Sequence, residues 1–143
     1  MSTTSTTRPG VRAAAPSRSS FVVGGMVAAL VNAGLWLAGR AADVTFLAHT
    51  AFGEMTVGIL EILLGTVVMF AVGAGLLVWA TRRSPAWARA VLVSAALFAV
   101  LSAIGPLTLA EDTSSGALLA AMHLATGAAF LASASRARGA VAA

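Results

Sequence analysis

The 143-residue chain is 59% hydrophobic and 10% charged, which leaves too little polar surface for a water-soluble globule of this size. Its formal charge of +4 comes from nine arginines and no lysine against five acids, too sparse a set of charges for a nucleic-acid-binding domain. The absence of cysteine excludes disulfide frameworks, thiolate metal sites and thiol catalysis.

Residues 1–20 are rich in Ser, Thr, Ala and Pro, with Arg8, Arg12 and Arg18 as their only charges. Such a segment has little to bury and is expected to be a disordered cytoplasmic tail. Uncharged stretches then follow, each long enough to cross the hydrocarbon core as a helix, which takes about 20 residues. They predict helices over about 21–39, 56–81, 87–110 and 114–135, within a membrane domain of residues 21–138 followed by a short tail over 139–143. The first stretch is expected to stay uncleaved, because it exceeds the usual signal-peptide core of about 7–15 residues and contains Asn32. Between the first two helices, Phe46, Leu47, Phe52 and Met55 predict a segment lying in the membrane interface. Ser84-Pro85 marks the turn between the second and third helices.

The fold class expected is therefore all-α, an integral membrane four-helix bundle whose consecutive helices are antiparallel neighbours. Eight of the nine arginines fall on one side: Arg8, Arg12 and Arg18, then Arg82, Arg83 and Arg89, then Arg136 and Arg138. The positive-inside rule then places both termini in the cytoplasm and the protein in the inner (plasma) membrane as a multi-pass chain. Close helix packing is expected through small residues, notably Ala117, Ala121, Ala125 and Ala129 at four-residue spacing, and Gly24 with Ala28. Trp36, Trp79 and Trp87 lie near helix ends, where an indole can keep its body in lipid and its N–H among the headgroups.

The polar atoms inside these helices are few. Asn32, Glu61, Ser102 and His123 each sit on a different helix and, counted from the outer ends, at one depth of roughly 7–11 Å. Glu61 shares a stripe with Gly58 and Gly65, and His123 one with Gly116, Ala120 and Gly127, so the cluster is expected to point into the bundle. Pro106 has no N–H, leaving the Ser102 carbonyl without its helical donor, and Gly105-Pro106 is expected to kink the third helix there. Two readings stay open: the four side chains lock the bundle by hydrogen-bonding to one another, or they form a site facing outward in which Glu61 carries a proton with His123 as partner. No zinc-protease, hydrolase-elbow, P-loop or dinucleotide motif is present, and two histidines make a poor ligand set for haem or metal.

The Asn32 of the first helix, the Leu101-Ser102 and Gly105-Pro106 pattern of the third, and Ala121-Met122-His123-Leu124 of the fourth resemble an uncharacterised actinobacterial family of small four-helix integral membrane proteins. The resemblance implies a bundle over roughly residues 21–138 and supplies no catalytic residues. The function expected is a non-catalytic bundle, not an enzyme, without cofactor or nucleic-acid partner, that packs with itself or a membrane partner in the lipid bilayer. The alternative is a small proton- or ion-coupled transporter that uses Glu61.

Overall fold

The computed structural model describes residues 18–50 and 53–139. Four helices make up most of this: α1 (Arg18–Ala41), α2 (Ile59–Arg83), α3 (Pro85–Leu109) and α4 (Thr113–Gly139). All four are long and apolar enough to cross a membrane, and they pack against one another as the composition required. The expected tails fall mostly outside the described residues, though α4 runs on through Gly139, beyond the expected end of the fourth helix.

The burial pattern follows the 3.6-residue period. On α1 the enclosed positions are Phe21, Gly24, Ala28, Asn32 and Gly39, and on α2 they are Ile62, Thr66, Phe70, Leu77 and Ala80. On α4, Gly116, Leu119, Ala120, Phe130 and Ala134 are buried, whereas Ala117 is exposed and the rest of its four-residue alanine row only half-buried. The close-packed face of α4 is thus displaced from that row. α4 lies between α1 and α3, while α2 leans on α1 and α3. Of α3, only Ala103 is buried.

Two apolar clusters sit at opposite ends of the bundle. At the arginine-rich end Phe130 meets Phe21 at 5.9 Å and the edge of Phe70 at 5.6 Å, with Leu77 and Ala134 beside them. At the other end Val44, Phe46, Ile62, Leu119 and Met122 pack together. The turn joining α2 to α3 is a single residue. Ser84 ends α2 by donating its N–H to the Ala80 carbonyl and opens α3 by accepting from the Trp87 N–H, and Pro85 fits the first helical position, where no N–H is needed. α3 continues as one helix through Pro106.

The sequence reading missed a β-hairpin. Strands β1 (Leu47–Thr50) and β2 (Gly53–Thr56) pair antiparallel, with Leu47 opposite Thr56 and an exposed His49–Glu54 pair at 3.5 Å. Thr56 therefore belongs to a strand, and α2 begins three residues later than expected. The hairpin is tied down along its β1 edge, where Ala48 bridges to Ala110 and Glu111 N–H donates to the Leu47 carbonyl, and Val57 N–H extends the pairing of the two strands by donating to the Phe46 carbonyl. Phe52 lies outside the described residues.

Phe46 anchors this cap. It is fully buried, stacks on Trp36 at 6.3 Å, and adopts a left-handed backbone conformation (φ 54°). The Trp36 indole N–H donates to the Val57 carbonyl at 3.2 Å, so this tryptophan serves the cap and does not reach for headgroups. Phe46 N–H donates to Ser115 Oγ, whose hydroxyl donates in turn to Asp112 Oδ2 at 2.6 Å. Asp112 also accepts from the Ser115 N–H at 2.8 Å and from the Thr45 hydroxyl at 3.2 Å.

These donors, the Ser115 hydroxyl foremost, hold the Asp112 carboxyl below its ordinary range. The fold thus favours the charged form, and its contribution is complete above the unfolded value of about 4 and lost as pH falls through the lowered folded value. Protection of the Phe46 amide against hydrogen exchange is expected to hold from about pH 6 down to about pH 4 and to fall below that. Protection that persists unchanged to about pH 2 would show that the cap does not depend on this charge.

Candidate functional site

Between α2, α3 and α4 lies a cavity of about 800 Å³, within the range of small-molecule sites. It exists because α2 and α3 meet closely at Ser84 but bury little of each other above it, while α3 packs its other side on α4. Asn32, Glu61, Ser102 and His123 all line it. The structure thus brings the four residues to the lining of one cavity, but only Asn32 is buried and Ser102 half-buried. Glu61 and His123 are exposed and, contrary to expectation, do not point into the bundle. The hydrogen bonds of Asn32, Ser102 and His123 go elsewhere than to one another.

Asn32 is the most enclosed of them. Its Nδ2 donates to Thr66 Oγ1 at 2.8 Å and to Thr126 Oγ1 at 2.9 Å, joining α1 to α2 and α4. Both hydroxyls spend their protons on their own helices, on the carbonyls of Ile62 and Met122, and so are free to accept. The Asn32 Oδ1 is buried without a partner among the described residues. Ser102 donates to the Ala99 carbonyl at 3.3 Å. His123 Nδ1 lies 2.8 Å from the Leu119 carbonyl. Since a carbonyl can only accept, the neutral ring carries its proton on Nδ1 and leaves Nε2 as an acceptor.

Depth separates these residues into two levels. The contacts of Asn32 put Thr66 and Thr126 at one level, and at 1.5 Å per residue Glu61 then lies about 7.5 Å, and His123 about 4.5 Å, nearer the hairpin end. The methyl of Ala99 abuts Gly127, which puts Ser102 about 3 Å above the same level. The single polar layer expected from sequence is therefore an Asn32 tie with three other side chains above it. The reason is the hairpin: by taking up Thr56 it moves the start of α2, and Glu61 stands in the first turn of that helix. There its carboxylate folds back over Gly58, where a Cβ would stand 2.7 Å from Oε2, close to the positive end of the helix dipole.

Thr66 and Thr126 are the partners of Asn32 that sequence reasoning missed. The signal available was their position, Thr66 one turn beyond Ile62 and Thr126 three residues beyond His123 on the glycine-bearing stripe of α4. Below this level the wall turns apolar, with Leu76, Phe98 and Phe130 leading to Trp79 and Trp87, whose rings meet edge to face at 5.7 Å. Arg83 covers Trp79 at 5.4 Å from the ring centre. Among the described residues no arginine lines the cavity.

Among the described residues no group of three or more His, Cys, Asp or Glu side chains is placed to hold a metal ion. No curated protein and no solved structure matches the chain. The model of a family of unknown function (DUF6069) matches residues 12–140, a span that includes all four helices, and the chain belongs to that family.

Proposed function

We propose that this chain is a non-catalytic, multi-pass protein of the plasma membrane that holds a membrane-resident partner in the seam between α2 and α3. In this reading consecutive helices are antiparallel neighbours and both termini are cytoplasmic, which the gathering of Arg82, Arg83 and Arg89 at one end of the bundle supports. The observation that carries the reading is the cavity itself, open between two helices that otherwise pack on α1 and α4. The cleft is open on one side, and the large apolar side chains along it, Leu76, Trp79, Trp87 and Phe98, stay exposed unless something lies against them.

The chain has no cysteine, so a single introduced thiol reports unambiguously. Gly65 lines the seam with open space where its Cβ would stand, and Val68, on the same helix, is exposed outside the cavity lining. A lipid-soluble maleimide is expected to react slowly with Gly65→Cys in native membranes and quickly after delipidation, and with Val68→Cys equally in both. Equal access to Gly65→Cys in both states would overturn the reading. With an impermeant maleimide on intact cells, Asp43→Cys is expected to label and Ala86→Cys to stay protected.

A second reading, a proton- or ion-coupled transporter using Glu61, draws on Glu61 of α2 and His123 of α4 lining the same cavity. It requires pH-driven uptake into reconstituted vesicles that Glu61→Gln abolishes.

A further inference from the structure

The seam has a chemical polarity that narrows what fits it. Glu61 and Trp79 line it from the same helix, eighteen residues apart, so it runs for about 27 Å, nearly the full hydrocarbon thickness of about 30 Å. Its two ends differ. Near the hairpin, three groups with accepting lone pairs gather within a few ångströms of depth: the Glu61 carboxylate, the His123 Nε2 and the Ser102 hydroxyl oxygen, whose proton is already given to Ala99. Among the described residues Glu61 is the one acidic side chain on the wall and no arginine joins it there, and His49, the histidine of the hairpin, pairs with Glu54 instead. From Met69 to Trp79 and Trp87 the wall is almost wholly apolar.

Acceptors without donors select a donor, and a lone carboxylate in a cleft of low polarity selects a cation, because a charge-assisted hydrogen bond is about twice as strong as a neutral one. A cleft nearly as long as the hydrocarbon core is thick selects a long chain. We propose that the seam binds a long-chain amphiphile with a primary ammonium head, taken sideways from the bilayer, the head held by Glu61 and His123 and the chain lying toward Trp79 and Trp87. The proposal rests on the seam being occupied from the membrane, and it adds the class of the occupant. Arg83, outside the cavity over Trp79, would favour an anionic head at the opposite end; it is absent from the wall, whereas Glu61 is on it. A free alkylammonium and a phosphatidylethanolamine share the proposed head chemistry, and the test separates them.

The full chain is placed in phosphatidylcholine nanodiscs, and tryptophan fluorescence is followed while hexadecylammonium brominated at its terminal carbon is added. The same-length brominated alcohol and alkyl sulfate are added in parallel. Saturable quenching by the ammonium is expected, at a Kd at least about tenfold below that of the alcohol, as one charged hydrogen bond provides. It should vanish in the double variant Trp79→Phe, Trp87→Phe, which retains Trp36. Glu61→Gln is expected to bring ammonium and alcohol to within about twofold of each other, since the amide keeps the shape and loses the charge. Gly65→Leu, which fills the open space at that position, is expected to block both ligands, and keeps the test decisive if Glu61→Gln fails to fold. Nanodiscs of brominated phosphatidylethanolamine that quench without added amine would identify the lipid as the source; quenching by the free amine alone would identify the amine.

Equal binding of ammonium and alcohol, or tightest binding of the sulfate, would overturn the ammonium class while leaving the seam reading in place. Absence of saturable quenching by any of the three also overturns it. Joined to free access at Gly65→Cys, that result would remove the seam reading as well.

Discussion

Replacement of Phe46 by alanine is expected to cost the fold about 3–5 kcal/mol, the range for emptying a site of that size in a close-packed interior. The ring is wholly buried, stacked on Trp36, and pressed against α1 where Gly39 has no side chain: a Cβ there would stand 2.5 Å from Phe46 Cζ and 2.7 Å from Leu118 Cδ1. Alanine keeps the backbone hydrogen bonds and loses the ring. The backbone at Phe46 adds a sharper expectation. Its φ of 54° lies in the left-handed region, which costs an L-residue about 1–2 kcal/mol and glycine almost nothing. Phe46→Gly should therefore unfold at a higher temperature than Phe46→Ala, the reverse of the usual order of these two residues. Thermal unfolding in nanodiscs measures both, and an alanine variant more stable than the glycine variant would show that the conformation of this residue is not what the cap requires.

The second large effect is expected where α3 and α4 touch. A Cβ on Gly127 would collide with the Ala99 methyl, with both groups fixed on helix backbones. Gly127→Ala must push the two helices apart, at about 1–3 kcal/mol for overpacking. Ala99→Gly removes the obstacle and, alone, costs about 1 kcal/mol of helix propensity. The double variant exchanges the two residues across the contact and should be more stable than the sum of the single effects by at least about 1 kcal/mol. Strict additivity would mean that the helices do not meet at this pair.

The spans were legible because hydrocarbon imposes one demand on every residue of a crossing helix, and four stretches of this chain satisfy it. The hairpin was not. Leu47 to Thr56 has little alternation of polar and apolar residues, and its strands are held by Ala110, Glu111 and Ser115, distant in sequence and unreadable as partners. One omission carried into the site. Counting from Thr56 gave Glu61 the depth that belongs to Thr66, and so gave Asn32 the wrong neighbour. Asn32 lies inward, where its Nδ2 finds two acceptors while its Oδ1 finds no donor among the described residues. Its partners were overlooked because a threonine that bonds its own helix looks satisfied in sequence, although its oxygen can still accept. Trp36 was misjudged for a similar reason: position near a helix end said nothing of the Val57 carbonyl folded over it.

The one-residue turn at Ser84 gives α2 and α3 the mechanics of a pair of dividers. Each arm is 25 residues long, or about 37 Å, so a rotation of only about 10° at the pivot separates the far tips by about 6 Å. Close to the pivot the same rotation moves almost nothing, and the Trp79–Trp87 pair would stay in contact. The far tips are not free, however. β2 runs directly into the start of α2, and β1 is bridged through Ala48 to Ala110 at the end of α3, so the hairpin lies as a crossbar between them. Widening the gap therefore loads the Ala48–Ala110 bridge, in which Glu111 N–H donates to the Leu47 carbonyl, before it disturbs any helix. On the proposed reading, the admission of a thick molecule would be decided at this crossbar, at the far end of the seam from Trp79 and Trp87.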